Sequence, residues 1–179
     1  MKREEQRQEL TTDWSHIDAQ GRANMVDVGA KPTSERQAVA RGCVYMQAAT
    51  LQAIVDQEIS KGDVLQVARI AGIMAAKQTS ALIPMCHPLE ITHVKVDLQP
   101  DAAAACVRLE ATVRTVGRTG VEMEALTAVT VAGLTVYDMC KSLDRQMRLG
   151  DVELLSKSGG KSGRYTHPDY RGVDPGGRL

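Results

Sequence analysis

His93-Val-Lys-Val-Asp-Leu98 and Val107-Arg-Leu-Glu-Ala-Thr-Val-Arg114 decide the fold class. Val94, Val96 and Leu98 alternate with His93, Lys95 and Asp97. Val107, Leu109, Ala111 and Val113 alternate with Arg108, Glu110, Thr112 and Arg114. Successive side chains of a strand point to opposite faces, so period two with one polar side predicts a sheet covered on one face only. Residues 99–104, with Pro100-Asp101, supply the short hairpin connection between the two strands.

Upstream, residues 36–46 mix Val and Tyr with small residues and read as a strand. Thr50 is placed to cap a helix carrying Leu51, Ile54, Val55 and Ile59 on one stripe. A second helix opens at Asp63, with Gln66 at capping-box spacing. It presents Val64, Val67, Ile70, Ala71 and Met74 to the core and ends before Pro84. Downstream, a long helix is expected from Thr119 to about Arg145, with Thr119 and Glu122 repeating the capping spacing. A last strand, over 147–155, is broken at Gly150. The order β-α-α-β-β-α-β predicts an α+β, ferredoxin-like sandwich: an antiparallel sheet covered by helices on one face, with one added helix.

The 179 residues are 43% hydrophobic, enough for one buried core. Twenty-two basic residues balance twenty-two acidic ones, which argues against holding nucleic acid by bulk charge. Aromatics make up only 3%, with no Phe, so the core is aliphatic and stacking platforms for bases are scarce. Cys43, Cys86, Cys106 and Cys140 form no CxxC or CxxH, which gives zinc no ligand spacing and favours reduced thiols. Residues 1–13 lack the apolar stretch of a signal peptide, and no run approaches a membrane span. A cytoplasmic protein is expected, with flexible tails at 1–15 and 164–179 around a single catalytic domain at 16–163.

Within the long helix, residues 125–137 carry no charge, and Ala125, Ala128, Ala132 and Gly133 permit close approach of neighbouring backbones. Asp138 then appears near the helix C-terminus, where it opposes the macrodipole, with Lys141 three residues on. Two readings are open: an ion pair on a solvated last turn, or an acid/base pair at the rim of a cavity. Ile83-Pro-Met-Cys-His-Pro-Leu89 is stiffened by its two prolines and presents Cys86 and His87 in one geometry. Glu122 and Glu124 stand in a first helical turn, where any carboxylate gains from the dipole. Lys157-Ser-Gly-Gly-Lys161-Ser-Gly163 contains GKS but lacks the first glycine of a phosphate loop, leaving a lysine-bearing lid or a plain flexible segment. Gly117-Arg-Thr-Gly120 shares the GxxG form of an RNA-clamping loop but joins a strand to a helix, which discounts that role. Lys31, Arg36 and Lys61 by themselves read as solvated cations.

Together, several ordered strings closely resemble the cyclic pyranopterin monophosphate synthase family (MoaC-type) of molybdenum cofactor biosynthesis. They are Met25-Val-Asp-Val, Lys31 with Arg36-Gln-Ala38, Lys61-Gly-Asp63, Ala68-Arg-Ile-Ala-Gly72, the 83–89 string, Thr119-Gly-Val-Glu-Met-Glu-Ala-Leu-Thr127, Tyr137-Asp-Met-Cys-Lys141 and the 157–163 string. The resemblance spans about 14–163. Gly29 and Ser34 depart from the Ser and Thr common in the family, which puts only local loop geometry in doubt.

The resemblance implies a ferredoxin-like homohexamer, a trimer of dimers with active sites at subunit interfaces. Its substrate is a 3′,8-cyclised dihydro-GTP from an upstream radical cyclase, rearranged to cyclic pyranopterin monophosphate with loss of pyrophosphate, a lyase reaction. By motif, the catalytic set falls on Asp138, Lys141 and Lys61. Substrate contacts fall on Met85, Cys86, His87, Met123 and Glu124, with Glu122 beside them. Lys157 matches the lid lysine, and Lys31 and Arg36 match cations near the triphosphate. No metal site or cofactor is implied, although Mg²⁺ accompanying the triphosphate is compatible. Three alternatives stand beside this one: a noncatalytic nucleotide-sensing module, which would tolerate loss of the Asp–Lys pair; an RNA-binding domain, which the absence of strand aromatics excludes; and, as the runner-up, direct action on GTP with a radical partner.

Overall fold

The structure, a computed structural model, describes residues 20–161 and 163–170. The expected N-terminal tail and the last nine residues of the C-terminal one lie outside that range. Elements run β1 (Ser34–Tyr45), α1 (Ala48–Val55), α2 (Val64–Lys77), α3 (Thr79–Leu82), β2 (Ile91–Asp101), β3 (Cys106–Gly117), α4 (Glu122–Cys140), β4 (Arg148–Ser158) and β5 (Tyr165–Thr166). The sheet order is β2-β3-β1-β4-β5, antiparallel throughout. Its first four strands interlock two split βαβ units, as the ferredoxin-like reading expected.

The period-two pattern sets the register. Val113 faces Ala38 and Val94, Ala111 faces Ala40 and Val96, and Leu109 faces Gly42 and Leu98. Those residues form the helix-covered side, and Val96, Leu109, Ala111 and Val113 are almost wholly buried. Lys95, Asp97, Arg108 and Glu110 take the other face. With no Phe available, the core is filled by Val, Ala, Leu and Met, and density comes from close backbone approach. A Cβ at Gly72 of α2 would lie 2.9 Å from the Ala128 carbonyl oxygen of α4, and one at Gly133 would lie 2.5 Å from Leu149 of β4. The helices sit where only a missing side chain lets them sit.

Several local details differ from the sequence expectation. Helix α2 opens as read, with the Asp63 side chain accepting from the Gln66 N–H at 3.0 Å. Its buried stripe, however, is Val64, Ala68, Gly72, Ala75 and Ala76, while Val67, Ile70 and Met74 point outward. The small residues face inward because α4 crosses too near for larger ones. Helix α1 begins at Ala48 rather than on a Thr50 cap, and Thr50 is buried within it. Helix α4 starts at Glu122, capped by Val121 rather than Thr119, and stops at Cys140. Beyond it, the carboxylate of Asp144 (2% exposed) accepts from the Gln47 and Gln146 N–H groups at 2.8 and 2.9 Å. Those bonds fold the chain back before β4, where a longer helix would have continued. β4 is not broken at Gly150: its pairing with β1 shifts register between Arg41 and Cys43, with Asp151 at φ 53, a bulge. All four cysteines are free thiols, two of them buried. Among the described residues no helix is long and apolar enough to cross a membrane.

Candidate functional site

The loops at one end of the sheet converge on the N-terminus of α4. There a cavity of about 420 Å³ is lined by Val26, Val28, Met85, Cys86, His87 and Leu89 on one side, and by Glu122, Met123 and Glu124 on the other. The 83–89 string enters through a turn closed by the Cys86 N–H on the Ile83 carbonyl at 3.1 Å. His87 Nε2 lies 2.9 Å from the Val26 carbonyl oxygen. A carbonyl only accepts, so Nε2 carries a proton and donates it to Val26.

Glu124 is 4% exposed. Burial, with Glu122 adding like charge, pushes its carboxyl up to about 7, and burial beside Glu124 also raises the Cys86 thiol. A carboxyl held near neutrality can donate a hydrogen bond as well as accept one.

This cavity opens into a second cleft, of about 510 Å³, sharing Lys31, Thr119, Gly120 and Glu122 with the first. Five cations line it: Lys31, Arg36, Arg118, Lys157 and Lys161. Its one carboxylate, Glu122, is matched by Lys157 Nζ at 3.0 Å. The glycine-rich string forms its wall, and Gly159 (φ +95) passes so near β1 that a Cβ there would fall 2.1 Å from the Glu35 carbonyl oxygen. Lys157 and Ser158 belong to β4 itself, whereas Lys161 and Gly163 are exposed. Although the whole chain is neutral, this end is strongly cationic.

Asp138, Lys61 and Lys141 form a separate cluster at the other end of α4. The Asp138 carboxylate accepts from Lys141 Nζ at 2.6 Å and from Lys61 Nζ at 3.2 Å, and Lys61 also donates to the Asp138 carbonyl at 2.8 Å. The Lys141 ammonium, and Lys61 after it, hold the Asp138 carboxyl below the usual carboxylate range, while Asp138 raises Lys141. The three side chains are about half exposed, at 45%, 59% and 52% for Lys61, Asp138 and Lys141.

Of the twelve expected site residues, nine therefore gather at the start of α4 and three at its end. Asp138 follows Glu122 by sixteen residues on one straight element, about 24 Å at ~1.5 Å per residue. Arg118 and Lys161 also join the cationic cleft. In sequence, Arg118 lies in a GxxG string whose RNA-loop reading is discounted, and Lys161 in a string that reads as a lysine-bearing lid or a flexible segment.

Comparison with known proteins gives a consistent result. Residues 25–160 match the MoaC family. A protein of a Roseiflexus species is 60% identical over 156 residues, covering 87% of this chain and 99% of its own. One from Rhodospirillum rubrum is 61% identical over 152 residues (85% and 92%), and one from Desulforapulum autotrophicum 56% over 162 residues (88% and 99%). All three bear the name cyclic pyranopterin monophosphate synthase.

Proposed function

The chain belongs to the MoaC family, and on that premise we propose that it acts as a cyclic pyranopterin monophosphate synthase in molybdenum cofactor biosynthesis. In this reading it is a lyase of the cytoplasm. It takes 3′,8-cyclo-7,8-dihydro-GTP, supplied by a radical cyclase, and releases cyclic pyranopterin monophosphate and pyrophosphate with no resident cofactor. The observation that carries the reading is the pair of joined cavities. One is cationic and suits a triphosphate; the other is lined by His87, Glu124 and Met123 and suits a reduced purine-derived ring.

Attack of a ribose-derived hydroxyl oxygen on the α-phosphorus forms the cyclic phosphate ester, releases the hydroxyl proton and breaks the bond to the β-phosphate oxygen. The departing pyrophosphate's developing charge is stabilised by Lys31, Lys157 and neighbouring cations without reorganising. Opening and reclosing the ring moves protons. Lys141, kept protonated by Asp138, serves as a proton donor, with Lys61 beside it as the second lysine. Glu124, titrating near neutrality, and His87 hold the polar edge of the ring.

A general acid must come within about 3 Å of the atom it serves, yet Lys141 and Lys61 stand a helix length from His87 and Glu124. A second copy of the chain bringing its Lys61–Asp138–Lys141 cluster to this cavity would close the gap, in keeping with a hexamer whose sites lie between subunits. The outward stripe of α2 supports such assembly: Val67, Ile70 and Met74 are 43%, 57% and 62% exposed, so covering what remains of each contributes roughly half of the ~1.5–3 kcal/mol of complete burial. Purified protein supplied with the cyclised dihydro-GTP is expected to release pyrophosphate and form a fluorescent pterin after oxidation. Absence of both products would overturn the reading.

A further inference from the structure

Arg36 and Arg118 line the same cleft but are built into it differently. Arg36 donates from Nε to the Gly117 carbonyl and from Nη2 to the Arg118 carbonyl, both at 3.0 Å. Its remaining nitrogen, Nη1, lies against Gly160, where an added Cβ would fall only 1.9 Å away. One planar fork thus ties the start of β1 to the turn after β3 and lies against Gly160 of the glycine string after β4. An ammonium group cannot reproduce this, because it is a point charge on a flexible stem rather than a rigid set of donors. The Arg118 side chain is exposed in the cleft alongside Lys31 and Lys161, and the cleft's carboxylate, Glu122, is already matched by Lys157.

We propose that Arg36 is a positioning residue, fixing the 117–120 turn so that Arg118, with Lys31 and Lys161, grips the outer phosphates that depart as pyrophosphate. This rests on the reading of the cleft as the polyphosphate end of the synthase site. Arg36 then acts through the backbone it aims rather than through its own charge.

Calorimetric titration of the assembled protein with inorganic pyrophosphate tests the division of labour, with thermal midpoints measured in parallel. Arg118→Gln is expected to weaken binding by about tenfold or more, the worth of one charge-assisted contact, and Arg118→Lys to recover most of that loss. Arg36→Lys and Arg36→Gln are expected to weaken binding equally, since neither spans two carbonyls. Gly160→Ala, which intrudes on Nη1 and leaves every charge in place, is expected to act likewise. Wild-type affinity in Arg36→Lys beside weak binding in Arg36→Gln would show a plain charge contact and overturn the positioning role. Should both Arg36 variants fail to fold, normal binding by Gly160→Ala would overturn it instead. Wild-type affinity in Arg118→Gln, or no binding by the unaltered protein at millimolar pyrophosphate, would overturn the grip. Turnover of the cyclised dihydro-GTP by the unaltered protein separates the two claims: its absence, with pyrophosphate binding as expected, would discard the activity and keep the site.

Discussion

Two defective copies of this chain should repair each other. His87 and Lys141 belong to clusters about 24 Å apart along α4, by helix rise, and no side-chain movement spans that distance. If both serve one reaction, each active site takes its His87 half from one subunit and its Lys141 half from another. His87→Ala and Lys141→Ala would each lower turnover by ~10²-fold or more as pure assemblies. When the two variants are co-expressed with different affinity tags and purified through both, the subunits mix in one assembly. A site is intact when its histidine half comes from the Lys141→Ala chain and its lysine half from the His87→Ala chain. Random assortment in a symmetric oligomer makes about one site in four intact, so turnover should rise to about a quarter of the unaltered protein's. The assay is initial-rate pyrophosphate release per active-site concentration, on mixed and pure assemblies side by side. A mixed assembly no faster than its parents would refute the shared site, and would require the two clusters to serve separate purposes.

Asp138 and Lys141 give a second test. A mere surface ion pair would leave stability and rate nearly unchanged when Lys141 becomes Ala. As a proton donor and its partner, Lys141→Ala and Asp138→Asn should each fold and assemble yet lose ~10²-fold or more in rate, and the double variant should be little worse than either. Near-normal turnover in Lys141→Ala would remove it from the chemistry. Glu124 gives a pH signature. Its folded carboxyl titrates near 7, above its ordinary value of 4.5, so between those values the folded chain binds a proton that the unfolded chain lacks, and stability falls as pH rises. Glu124→Gln should therefore melt higher than the unaltered protein at pH 8, with the difference shrinking toward acid pH; a constant difference across pH would contradict the buried neutral carboxyl. Gly159→Ala combines a left-handed backbone with an overlap on the Glu35 carbonyl. It should cost about 1–3 kcal/mol in thermal unfolding and lower turnover by displacing Lys157; an unchanged melting point would mean that the string relaxes freely.

Alternation in 93–98 and 107–114 specified which side of each strand meets the helices, because a one-residue slip would place every valine in water. The order of periodic segments then restricted the topology to interlocked split βαβ units. The twelve candidate site residues came from the resemblance of the motif strings to the family; taken singly, Lys31, Arg36 and Lys61 look like ordinary solvated cations. What periodicity could not rank was how closely helices approach. Val67, Ile70 and Met74 fit a helical stripe as well as Ala68, Gly72 and Ala76 do, and only the crossing of α4 over Gly72 turns the small residues inward and the large ones out. Helix ends escape the sequence for a related reason: Thr119 stands at cap spacing, but Arg36, more than eighty residues earlier, holds the backbone at 117–118 in a turn. The charge of the cleft was hidden as well, because a net charge of zero says nothing of where cations gather. Arg118 and Lys161 meet Lys31 only once β1, β3 and β4 are paired. The separation of Lys141 from His87 is the plainest tertiary result: the family resemblance groups both, while the length of α4 sets their clusters at its opposite ends within one chain.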